Sequence, residues 1–151
     1  MVKIRHLTHA DIPAAADLQR RVYQSIPAFS QQQFDSLFAN FPQGQFAAEV
    51  EGKLVGLAIS LVVLWDDYSL HHTWPSVTND GHFDTHDMDG RTLYGAEVCV
   101  DPDCRGQGVG HVAAQRVDVA HLRPADHAAA FRRAGGARFQ QGRLRDGGMR
   151  H

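Results

Sequence analysis

At 151 residues the chain is the size of one domain, long enough to bury a core without disulfide or metal staples and too short for a multidomain machine. Its 43% hydrophobic and 21% charged content is ordinary for a globular protein, and no stretch approaches the roughly 20 apolar residues of a membrane span, so a soluble protein with no membrane partner is expected. Met1 to His9 lacks the apolar core and small-residue cleavage site of a signal peptide, so a cytoplasmic chain is expected, with Cys99 and Cys104 as thiols.

The net charge of −2 hides an uneven split. Residues 1–110 hold 7 Lys and Arg against 14 Asp and Glu, a balance of −7, whereas residues 111–151 hold 8 Arg against 3 Asp, a balance of +5. A basic tail on an acidic body raises nucleic acid as a partner.

Val2 to Leu7 reads as a short strand, with Val2, Ile4 and His6 alternating with Lys3 and Arg5. Thr8 then offers a helix cap with Asp11 three residues on. Ile12, Ala15, Ala16, Leu18, Val22 and Tyr23 recur at helical spacing, and Pro13 falls in the first turn, where its missing N–H does no harm. A second helix starts at Ser30 and carries Phe34, Leu37, Phe38 and Phe41 before Pro42 and Gly44 end it. Its aromatic stripe is expected to be core rather than a cofactor box. Phe46 to Val50 and Lys53 to Leu64 form a strand pair with Glu51 and Gly52 at the turn; the second strand is apolar almost throughout, as when both faces are covered. The 27 residues from Trp65 to Arg91 show no sustained period and read as a long loop. Thr92 to Val100 returns to strand character and stops at Asp101 and Pro102.

The segment that follows carries the most chemistry. Residues 97–112, EVCVDPDCRGQGVGHV, are a strand, a turn, a glycine-rich loop with one arginine, and a helix start. Gly106, Gly108 and Gly110 let the backbone approach a ligand closely, so that successive N–H groups and the positive end of the new helix face an anion, and Arg105 adds a fork of donors. Such a loop also serves as a plain turn. It lacks the GK[ST] ending of a nucleotide P-loop, and no acidic residue closes a second strand about 20 residues later as in a dinucleotide fold.

Arg105, Gly108 and Gly110 closely resemble, in register, the acetyl-CoA-binding motif Q/R-x-x-G-x-G/A of the GNAT N-acetyltransferases. The element order agrees over residues 1 to about 120, from the N-terminal strand through "FAAEVEGKLVGLAISL" to "LYGAEVCVDPDCRGQGVG". "THDMDGRTLYGAEVCVDP" further resembles an acetyltransferase-type domain that stands beside a carbon-nitrogen hydrolase domain in some bacteria. The resemblance implies an α+β fold with a mixed, largely antiparallel sheet flanked by helices, and acetyl-CoA as cosubstrate. It also implies backbone contacts from Val98 and Val100 to pantetheine, in the cleft beside a parallel neighbour strand. The amides of Arg105, Gly106, Gln107, Gly108, Val109 and Gly110 would then hold the pyrophosphate.

Aminolysis of a thioester needs a base for the ammonium ion, a donor for the oxyanion and a proton for the leaving thiolate. Glu97 lies mid-strand among apolar neighbours where a base of this family often lies, and desolvation there would raise its pKa toward neutrality; the alternative is a carboxylate paired with arginine or facing solvent. Relatives often use a tyrosine after the next strand as the acid, but Tyr23, Tyr68 and Tyr94 all precede Gly110, which leaves that role empty. Cys99 reads as a small buried thiol, Cys104 as a turn residue, and His111 as an exposed helix-start imidazole that is also within reach of a CoA phosphate. His71, His72, His82 and His86 with Asp84 and Asp87 match no standard zinc spacing, so no metal is expected. The acidic residues of the same loop, Asp66, Asp67, Asp80, Asp84, Asp87 and Asp89, suit either a mouth for a cationic amine or a solvated loop.

After Val119 the chain has no Val, Ile, Thr, Tyr or Trp, although the family places another strand here. Residues 111–151 hold 9 Ala, 8 Arg and 5 Gly, residues with GC-rich codons. The stretch 121–151 is then either GC-rich DNA translated in a shifted frame or a basic, disordered tail that binds nucleic acid or another anion. The expected organisation is an N-acetyltransferase-like domain over 1–120 with an incomplete C-terminal third. The expected activity is acetyl transfer to the primary amine of a small molecule or peptide. A non-catalytic CoA- or phosphate-binding module is the alternative, and nucleic-acid binding through the tail a weaker one.

Overall fold

A computed structural model describes residues 1–64 and 72–113. Among these residues four strands make one antiparallel sheet in chain order: Val2–His6 (β1), Phe46–Val50 (β2), Lys53–Val63 (β3) and Thr92–Val100 (β4). The helices are Ile12–Val22 (α1), Gln31–Asn40 (α2) and Trp74–Thr78 (α3), and a further helix (α4) opens at residue 109. The antiparallel, helix-flanked sheet is the fold expected. The parallel neighbour expected beside β4 and the tail 121–151 fall outside the described residues. Among these residues no helix is long and apolar enough to cross a membrane.

Each element follows from local chemistry. In α1 the apolar stripe of Ile12, Ala15, Ala16 and Leu18 is buried. For α2 the cap is reciprocal: the Ser30 hydroxyl accepts from the Gln33 amide (3.2 Å), while the Gln33 side chain accepts from the Ser30 amide (2.9 Å). The β2–β3 hairpin turns on Glu51 and Gly52, both at positive φ (50° and 77°), which is the twist a two-residue hairpin requires. The continuous apolar run of β3 is covered on both sides. Leu57, Ile59, Leu61 and Val63 pack with Ala15, Leu18, Phe34 and Leu37 on one face, whereas Ala58 and Val62 join Phe46, Leu93 and Ala113 on the other.

Four boundaries move by one residue: Tyr23 and Phe41 are the C-caps of α1 and α2 rather than their last helical residues, and two strands end early. β1 ends at His6, although the Leu7 amide carries the β1–β2 pairing one step further to the Gln45 carbonyl (2.9 Å), and β3 ends at Val63, with Leu64 exposed. The larger departure lies in the segment expected to be loop, where Trp74–Thr78 is helical. The Ser76 amide donates to the Thr73 hydroxyl (3.2 Å), the Thr73 amide to Ser76 Oγ (2.9 Å), and Pro75 occupies the first turn.

β3 outruns β2, whose pairing starts at Phe46 opposite Ala58. Side chains and loop backbone complete the open edge. Gln45 Nε2 donates to the Ser60 carbonyl (2.8 Å), and its Oε1 accepts from the Ser60 amide (3.0 Å). One step further, the Val62 amide donates to His86 Nδ1 (3.0 Å), and the Asp87 amide donates to the Val62 carbonyl (2.8 Å).

Candidate functional site

β4 delivers the chain to the glycine loop through Asp101, whose side chain is buried. Its amide donates to the Val55 carbonyl (2.8 Å) and its carboxylate accepts from the Asp103 amide (3.0 Å), capping the 3-10 turn Pro102–Cys104. Arg21 of α1 (3.0 Å) and Lys53 of β3 (3.7 Å) pair with the same carboxylate. The Asp103 amide foremost, with Arg21 and Lys53, holds this carboxyl below its usual range. The entrance to the loop is thus tied to α1 and β3.

Arg105 is extended, and Gly106 and Gly108 stand at φ 80° and 76°. Among the described residues a Cβ at either glycine would meet nothing within 4 Å, so backbone angle rather than crowding calls for glycine. Gly110 serves a different purpose. A Cβ there would lie 3.2 Å from Val100 and 3.3 Å from Val98, so its lack of a side chain lets α4 sit close on β4. The Val112 amide donates to the Gly108 carbonyl (3.0 Å), which closes the first turn and leaves the amides of residues 109–111 with no acceptor inside the helix. Residues 105–108 and His111 are exposed, while Val109 is buried. Exposed positive-φ glycines, an arginine and a helix N-terminus together can receive an anion.

Glu97 sits at a β-bulge. Ile59 pairs with Glu97 and Ser60 with Gly95, so Ala96 is the extra residue, and the bulge re-aims the side chains around it. The Glu97 side chain is turned toward α1 and is 1% exposed. Its Oε2 accepts from Gln19 Nε2 (2.9 Å), and Gln19 Oε1 accepts from the Phe29 amide (2.8 Å). Solvent, one of the alternatives for Glu97, is therefore corrected, and one hydrogen-bonding partner of this carboxylate is a neutral amide. Val98 and Val100 are half-buried and pack as ordinary core.

Sequence reasoning missed three residues here. Gln19 stands four residues after Ala15 and three after Ala16, a polar side chain on the apolar stripe of α1; that position was the available signal. Tyr23 read as the last residue of the stripe, yet its hydroxyl lies 3.5 Å from the Val98 carbonyl, the position the resemblance gives to pantetheine. Trp74, from the segment without a period, donates its indole N–H to the Ala96 carbonyl (2.9 Å).

The acidic loop goes elsewhere. Val62 pairs with Leu93 of β4 and turns its amide and carbonyl the other way, to His86 and Asp87. The loop also reaches α2, where Ser36 Oγ donates to the His82 carbonyl. Asp87 therefore sits at the β3 edge away from β4, and Asp80, Asp84 and Asp89 are exposed, as a solvated loop would have them; Asp66 and Asp67 lie outside the described residues. His86 stacks on Phe41 (4.3 Å), and His72 meets Tyr94 edge-on (6.4 Å). Among the described residues no three His, Cys, Asp or Glu gather as metal ligands. Cys99 is buried and Cys104 half-buried.

Residues 12–126 match the acetyltransferase (GNAT) family. Two proteins of Bacillus subtilis are similar. The probable hydrolase YhcX is 37% identical over 108 residues, 72% of this chain and 21% of that protein; the uncharacterized N-acetyltransferase YkwB is 32% identical over 113 residues, 71% of this chain and 49% of that protein. The chain thus spans less than half the length of these relatives. Among solved structures, the GphF GNAT-like decarboxylase in complex with isobutyryl-CoA superposes with a TM-score of 0.68 at 23% identity, over 81% of this chain and 60% of that one, a likeness of fold.

Proposed function

Because the chain belongs to the GNAT acetyltransferase family, we propose that it binds acetyl-CoA and transfers the acetyl group to a primary amine of a small molecule or peptide. The observation that carries this is the loop at 105–110, with two exposed glycines at positive φ in front of a helix N-terminus and one short turn after the strand that bears Glu97. The pyrophosphate oxygens accept from the amides of residues 105–110 and from the Arg105 guanidinium, and Val98 and Val100 offer backbone to the pantetheine. Glu97 takes one proton of the ammonium ion; the amine nitrogen then bonds the thioester carbonyl carbon, the C–S bond breaks, and the second proton of that nitrogen leaves on the sulfur, so that CoA departs as its thiol. A cytoplasmic setting suits this cosubstrate.

Gly108→Asp tests the loop, since it puts a side chain and a negative charge in the space the phosphates need. Calorimetry should show CoA binding abolished in Gly108→Asp and weakened less in Arg105→Ala. Unchanged affinity in Gly108→Asp would remove the phosphate site from this loop. The full burial of Glu97 favours a second reading, a CoA-binding module without turnover. Release of free thiol from acetyl-CoA in the presence of an amine panel separates the two.

A further inference from the structure

We infer that Gln19 is a positioning residue that sets the orientation and proton affinity of Glu97, and that it ties this carboxylate to the backbone of the α1–α2 connection at Phe29. The inference rests on the reading of Glu97 as the base.

The hydrogen-bond chemistry fixes which way the Gln19 amide points. The Phe29 amide can only donate, so the Gln19 oxygen must face it (2.8 Å), and the Gln19 NH2 is then left to face Glu97 (2.9 Å). Glu97 Oε2 is therefore an acceptor at this contact. A donor aimed at a carboxylate favours its ionised form, and in a setting where both side chains are almost wholly buried the bond is strong and expensive to lose. Glutamine suits this better than an arginine or lysine. A cation against the carboxylate would hold it ionised too firmly to collect a proton at neutral pH, whereas a neutral amide orients it and leaves it basic.

The far end of the link is not passive. Phe29 packs against Phe34 (5.6 Å between ring centroids), Phe83 (5.5 Å) and Trp74 (6.2 Å), and Trp74 donates to the Ala96 carbonyl, one residue from Glu97. Glu97 is thus held twice, through its carboxylate by Gln19 and through its strand by Trp74, with Phe29 touching both holders. Movement of the α1–α2 connection reaches the carboxylate through the Gln19 side chain.

The test follows the Glu97 carboxyl carbon by NMR in the full chain labelled with 13C-glutamate, the resonance being assigned by its absence in Glu97→Gln. In Gln19→Met, which keeps length and removes the donor, the titration midpoint of this carbon should rise by about one unit or more. Gln19→Glu keeps an acceptor for the Phe29 amide and sets a second carboxyl against Glu97, so two coupled steps are expected, one above the wild-type midpoint. It also covers the case in which Gln19→Met fails to fold. The acid limb of the pH–rate profile for thiol release from acetyl-CoA should shift with the midpoint, which a merely structural glutamine would not cause. A midpoint unmoved in the folded variants overturns the inference. The base reading fails separately: turnover intact in Glu97→Gln removes it whatever the titration shows.

Discussion

A carboxylate with 1% of its surface exposed, mid-strand and at a bulge, is an uncommon placement, because burying a charge is costly unless hydrogen bonds compensate. Gln19 supplies such a bond to Glu97. Glu97→Gln removes proton acceptance while preserving shape, and the new amide can still offer its oxygen to the Gln19 NH2. In an active chain, thiol release should fall by about 100-fold or more with CoA affinity unchanged by calorimetry. The deficit should shrink at high pH, where the amine is already neutral. Wild-type turnover at neutral pH would return Glu97 to a structural role.

At the scale of elements, β3 shows how side chains replace a strand. Gln45 bonds both the amide and the carbonyl of Ser60, and its Nε2 also donates to the Phe41 carbonyl (2.7 Å). Gln45→Leu keeps the bulk and leaves three buried backbone groups without this partner, a loss of roughly 3 kcal/mol that urea unfolding should read as a lower midpoint with little change in slope. Gln45→Glu keeps the acceptor for the Ser60 amide but sets a buried carboxylate against the Phe41 and Ser60 carbonyls, so at neutral pH it should lose at least as much. What was legible in the sequence was what repeats locally. The stripe of α1, the Glu51–Gly52 turn, the apolar run of β3 and the glycines after β4 each announce themselves within a few residues. Five-residue α3 is too short to show a period, and its Thr73–Ser76 cap was the sole cue. The Gln19–Glu97 contact joins positions 78 residues apart, and nothing near either residue announces the other. Gln45, acting as a strand of one side chain, has no pattern at all.

For the whole molecule, two separate contacts make stability depend on pH in two windows. Arg5 of β1 forks onto the Asp11 carboxylate (2.7 and 2.8 Å) and also reaches Glu49 of β2 (2.9 Å), joining the sheet edge to the start of α1. The Arg5 bond, chiefly, lowers the Asp11 pKa from 3.8 to about 2. A carboxyl lowered on folding stabilises the fold fully above its unfolded value, and the contribution is lost as pH falls through the folded value. The stability advantage of wild type over Arg5→Met should therefore be complete above about pH 4 and vanish toward pH 2. His86 acts higher on the scale. Burial lowers its pKa from the ordinary 6.5, opposed by nearby Asp87, and its Nδ1 must be unprotonated to accept from the Val62 amide. The unfolded chain thus binds the proton more readily than the fold, so stability from this group is present above 6.5 and declines as pH falls below it. His86→Gln places a non-titrating acceptor near the same amide. Thermal unfolding from pH 7.5 down to 5.5 should show the melting temperature of wild type falling more steeply than that of His86→Gln, while the Arg5→Met difference stays constant over this range. Parallel curves for wild type and His86→Gln would mean that His86 is no barrier to acid at the β3 edge.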